Sequence, residues 1–91
     1  MSAKTQEDIR RVSNEITELL ISKNISYGDS ALHPTRVFSK SDAVEQLLVR
    51  IDDKLSRIKN NESWPGDNDI DDLLGYLILL KIAKERNAQK E

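Results

Sequence analysis

Between Ile70 and Ala83 ten of fourteen residues are apolar, and helical spacing spreads them around most of the circumference. A helix that is apolar on most sides has to be buried on most sides. A chain of 91 residues has little material with which to do that. Two further helices of the same chain would cover roughly two thirds of such a cylinder. The remainder, around Leu79, Leu80 and Ala83, is expected to need a second subunit, so the chain reads as a homo-oligomer. The competing reading is that a long loop folds back and covers this face.

The other two elements are amphipathic. Ile9, Val12, Ile16, Leu19 and Leu20 keep the three-and-four spacing of one helix face, which predicts a first helix over 5–23 with Asn24 as a left-handed stop. Residues 24–40 lose that period. Ser26, Gly28, Asp29, Ser30 and Pro34 are turn formers, and a connection of this length is often functional. Val44, Leu47, Leu48, Ile51, Leu55 and Ile58 predict a second helix over 41–60, capped by Ser39 or Ser41 and ended at Asn60-Asn61. The third helix spans 68–86, with Asp67, Asp69, Asp71 and Asp72 at its start and Lys81, Lys84 and Arg86 near its end, the order that suits the helix dipole. Residues 1–91 are therefore expected to form one all-α domain: three main helices in a small bundle, a long ordered loop between the first two, and completion by oligomerisation.

Composition narrows the chemistry. The chain has no cysteine and one histidine, His33, so thiolate zinc sites, thiol nucleophiles and paired-histidine metal motifs are excluded. Fourteen basic and sixteen acidic residues give a net charge of -2, without the basic excess of a nonspecific nucleic-acid binder. Met1–Arg10 lacks the apolar core of a secretory leader, and Leu77–Leu80 is far too short to span a membrane. A cytoplasmic location is expected, with no membrane partner. With three glycines and no GxxxxGK[ST] motif, phosphate would have to be held by side chains rather than by a P-loop.

Three groups of residues carry possible chemistry. Arg50, Asp53, Lys54 and Arg57 stand at i, i+3, i+4 and i+7 on one face of the second helix. They read as an anion clamp, arginine offering a planar fork to phosphate oxygens, or as a solvated face with intrahelical pairs such as Asp53–Arg57. Asp69, Asp72 and Tyr76 line one face of the third helix. The carboxylates there suit either a shared Mg²⁺ or the helix dipole alone. Gly75, beside them, costs about 1 kcal/mol relative to alanine and predicts a close approach by another group. The loop brings Tyr27, Asp29, His33 and Arg36 together with Phe38, an aromatic-and-guanidinium mix that can hold a base and its phosphate, or an ordered loop plugged into the core. Trp64, before Pro65, reads as a lid on the core, with a ligand platform as the alternative.

Three blocks together resemble a known family: Tyr27-Gly28-Asp29-Ser30, the run from Val49 to Ile58 with its R-x-x-D-K-x-x-R pattern, and Asp71-Asp72-Leu73-Leu74-Gly75-Tyr76-Leu77-Ile78-Leu79. They are similar to the nucleotide-modification-associated all-α family of phages and bacteria, which includes a phage nucleotide kinase lacking a P-loop. More distantly they resemble MazG-like pyrophosphohydrolases. The resemblance spans residues 25–83. It implies nucleotide handling by Tyr27, Asp29, Arg50, Asp53, Lys54, Arg57, Asp72 and Tyr76. The paired acidic E-x-x-E box of the MazG-like enzymes is replaced here by a largely basic face.

The expected function is a small phage-type nucleotide-binding protein that sequesters a nucleotide or a cyclic-nucleotide immune signal, an anti-defence role, with no cofactor required. The alternatives are a Mg²⁺-dependent nucleotide phosphotransferase or pyrophosphohydrolase, with the metal on Asp53, Asp69 and Asp72, and a non-enzymatic protein-interaction module.

Overall fold

A computed structural model describes residues 3–34, 41–61 and 68–89. They form three α-helices, α1 (Ala3–Ser26), α2 (Ala43–Lys59) and α3 (Asp69–Gln89), with no strand among the described residues. The protein is all-α, as its hydrophobic spacing predicts. No described helix is long and apolar enough to cross a membrane.

The helix ends follow local chemistry, with two departures from the sequence reading. α1 runs through Asn24 and stops where Gly28 and Asp29 take left-handed backbone angles, φ 64° and 62°. Asn24 instead donates its side-chain amide to Asp29 Oδ1 at 2.8 Å and tethers that turn. α2 is capped by Asp42, whose carboxylate accepts the Glu45 N–H at 2.9 Å, rather than by Ser41; Ser39 lies outside the described residues. Asn60 closes α2, and Asn61 follows it at φ 55°. Asn68 caps α3, its side-chain oxygen accepting the Asp71 N–H at 3.1 Å. Asp42→Ala should cost about 1 kcal/mol, since it orphans a first-turn donor. Urea unfolding of the variant reads this directly, and an unchanged midpoint would show that the cap is redundant.

α2 and α3 form an antiparallel hairpin in fixed register. Leu47 packs with Leu79 and Ala83, Arg50 lies over Tyr76, Lys54 meets Asp72, and Arg57 meets Asp69. Leu47 is the one large side chain fully buried among the described residues, at 1% exposure. Leu20 of α1, Ala31 and Leu32 of the following turn, and Val44, Tyr76 and Leu80 close around this core. α1 packs against α3 and not against α2. It too is antiparallel to α3, because Lys23 meets Asp72 and Leu20 approaches Gly75. α1 has no buried residue before Ile16. Its first half carries the surface ion pairs Lys4–Asp8 and Arg11–Glu15, each at 3.1 Å. Such pairs add only about 0.3–0.5 kcal/mol each.

The uncovered side of α3 is not the expected one. Leu79 and Ala83 are buried and Leu80 is partly buried, because α2 and the turn at Ala31-Leu32 already cover them. The exposed apolar residues are instead Ile70, Leu74, Leu77 and Ile78.

Candidate functional site

α3 presents its first three turns between α1 and α2, and the charges there interlock. Asp72 accepts a hydrogen bond from Lys23 of α1 at 2.8 Å and pairs with Lys54 of α2 at 3.2 Å. Lys54 also reaches Asp69 at 3.4 Å, and Asp69 accepts from Arg57 Nε at 3.0 Å. The side chains of Lys54, Asp69 and Asp72 are only 15%, 9% and 18% exposed, so the network is largely withdrawn from water. It ties all three helices at one level.

The titration of these groups follows their partners. Burial pushes the Asp72 carboxyl up, but hydrogen bonds from Lys23 and Lys54 outweigh it and hold the group below the usual carboxylate range. Burial likewise pushes the Lys54 ammonium down, and its bonds to Asp72 and Asp69 more than reverse this. Lys23 is raised chiefly by its hydrogen bond to Asp72, against a smaller opposing effect of burial. Carboxylate stabilisation of this sign is present above the unfolded pKa near 4 and is lost as pH falls through the lower folded value. Lysine stabilisation is complete below about pH 10.4 and is lost as pH rises through the higher folded values. Thermal stability should therefore be flat between about pH 5 and 10 as far as this network is concerned, with an acid limb that Asp72→Asn flattens. Melting curves against pH for both proteins decide this, and an acid limb identical in the two would contradict it.

Beside the network a cavity of about 300 Å³ opens between α1 and α3. Ile16, Leu19, Leu20 and Leu79 form its apolar part; Lys23, Asn24, Tyr27, Ser30, Arg50, Asp71, Asp72 and Tyr76 supply the polar part. Gly75 lies in the wall, where a Cβ would stand 3.3 Å from Leu20 Cδ1. The close approach expected at this glycine is thus made by a leucine of α1. The Arg50 guanidinium sits 5.9 Å from the Tyr76 ring centroid, a cation–π arrangement that leaves it at the cavity. Asp71 carries no cation partner among the described residues.

The structure divides the residues singled out from the sequence. Tyr27, Arg50, Asp72 and Tyr76 come together at the cavity. Lys54 and Arg57 stand behind it, bonded to Asp69 and Asp72 rather than to Asp53. Asp53 is exposed on α2, and among the described residues no three His, Asp or Glu side chains converge as a metal would require. Asp29 serves the turn, its carbonyl accepting the N–H groups of Leu32 and His33. His33 lies 3.3 Å from Asp29 and lines a second, wider cleft with Pro34, Ala43 and Arg86. Arg36, Phe38 and Trp64 lie outside the described residues. Lys23 was not legible as a site residue, although it falls at i+7 from Ile16 and i+3 from Leu20. A cation on an apolar stripe signals an acidic partner across the helix interface.

No protein-family model, curated protein or solved structure matches the chain.

Proposed function

We propose that the protein binds a nucleotide or cyclic nucleotide in the cavity between α1 and α3 and holds it without altering it. One observation carries this: Arg50 and Lys23 flank Tyr76 and Tyr27 over an apolar wall, in a space at the small end of ligand pockets. A base stacks on an aromatic face and the Arg50 guanidinium takes the phosphate, while Lys23, held by Asp72, adds positive charge at the cavity edge. The free carboxylate of Asp71 suits the amino or hydroxyl groups of a nucleoside and disfavours a bare polyanion. The chemistry therefore fits a ligand that is anionic at one end and a hydrogen-bond donor at the other.

Retention fits better than turnover. Asp69 and Asp72, the carboxylates a Mg²⁺ would need, are each engaged by two cations. Stripping them would expose buried lysine and arginine charge, at a cost of several kcal/mol. The resemblance of the three sequence blocks to nucleotide-handling phage proteins gives this reading its biological form: a homo-oligomer that withdraws a nucleotide immune signal from the host.

Arg50→Ala tests the site. Arg50 is exposed and its contact with Tyr76 is worth about 1 kcal/mol or less, so the fold should survive. Titration with a panel of mono-, di- and cyclic nucleotides should show at least one ligand whose affinity drops tenfold or more in the variant. A panel that binds nowhere, or binds wild type and variant alike, rejects the reading.

A further inference from the structure

The α2–α3 hairpin has a second broad side, turned away from α1. Helical periodicity and the hairpin register place Leu48 at the level of Leu77 and Leu55 at the level of Ile70, with Ile58 and Leu74 beside them. All six are more than a third exposed, Ile70 at 62% and Leu55 at 49%. Scattered exposed leucines are ordinary on a protein surface; a contiguous face of six is not.

The chain as a whole exposes more surface than a compact monomer, on the first half of α1 as well as on this face. The chain exposes 7142 Å², roughly 1,700 Å² more than the about 5,400 Å² expected of a compact monomer of 10.4 kDa. Its radius of gyration is 15.0 Å against about 12 Å for a compact chain of this length.

We infer that this hairpin face is the self-association surface, and that its occupant is the same face of a second copy. Two antiparallel hairpins stacked about a twofold axis make a four-helix bundle, the arrangement that buries two such faces at once. Charge favours the axis parallel to the helices, which stacks α2 of one copy on α3 of the other. Glu45 and Lys81 flank the face at the same level of the two helices, so each Glu45 then meets a Lys81 across the interface. Gly75 lies about 200° around α3 from Leu77. The cavity therefore stays on the outer side of the dimer, built within one chain and open to solvent.

The test is the mass of the full chain in solution without nucleotide, so its outcome is independent of the ligand reading. Light scattering at about 100 μM should give about twice the 10.4 kDa chain mass. Leu77→Glu should give the monomer mass, while Val12→Glu on α1 keeps the dimer. A monomeric wild type, or dissociation by Val12→Glu and not by Leu77→Glu, overturns the assignment. A second measurement covers the case in which Leu77→Glu fails to fold. The chain has no cysteine, so Leu48→Cys and Leu77→Cys variants mixed under oxidation should form the mixed disulfide dimer. Its absence from a folded mixture equally overturns the arrangement.

Discussion

Leu47→Ala is expected to cost about 3 kcal/mol, the middle of the range for a leucine deleted from a packed core. No other large described side chain is so completely enclosed, and it touches both Leu79 and Ala83 of α3. Leu20, Leu32, Val44 and Leu80 pack against the same cluster, so the gap has little freedom to collapse. A domain of this length is stable by roughly 5–14 kcal/mol, and its few buried side chains place this one near the lower end. The substitution would then remove about half of the margin. Urea unfolding followed by circular dichroism, at one fixed protein concentration, measures it. A loss under about 1 kcal/mol would mean that the core lies elsewhere.

Asp72→Ala should be nearly as costly, at about 2–3 kcal/mol, for a different reason. It removes the anion that Lys23 and Lys54 share and leaves Lys54 to compete with Arg57 for Asp69. Breaking a fully buried pair costs about 3–5 kcal/mol, and here the figure is lowered because the Lys23 side chain, 42% exposed, can turn to water. Lys23→Ala alone should for the same reason cost less than about 1 kcal/mol. Asp72 is also a tie between α1 and α3, so its loss should raise hydrogen exchange along 16–26 more than along α2. Equal effects of the Lys23 and Asp72 substitutions would contradict the asymmetry.

The three helices and their apolar faces were legible because period and capping chemistry are local. Ile16, Leu20, Leu47 and Ile51 fall where their spacing puts them. The partners of the charged residues were not. Spacing fixes the angle of Arg57 around α2, but only the register of α2 against α3 decides whether it meets Asp53 or Asp69. The uncovered face was missed for a related reason. A helix apolar on nearly all sides offers no angular contrast, so Leu79 and Ala83 could not be told from Leu74 and Leu77 until α2 was in place. Of the candidate site, Arg50, Tyr76 and Asp72 were readable as neighbours by face. Lys23 and Asn24 were not, because spacing on α1 fixes the face they take but not which residues meet that face.

Retention without turnover, as proposed for the cavity, has one signature: the nucleotide leaves solution on binding and comes back unaltered when the protein is destroyed. The most direct test mixes the protein with a nucleotide panel and Mg²⁺, measures free nucleotide by chromatography, then denatures the protein by heat and measures again. One species should disappear from solution and return in full as the same compound, and Arg50→Ala should leave it in solution throughout. Return of a different compound would make the protein an enzyme, and no depletion of any species would remove the nucleotide from the cavity altogether.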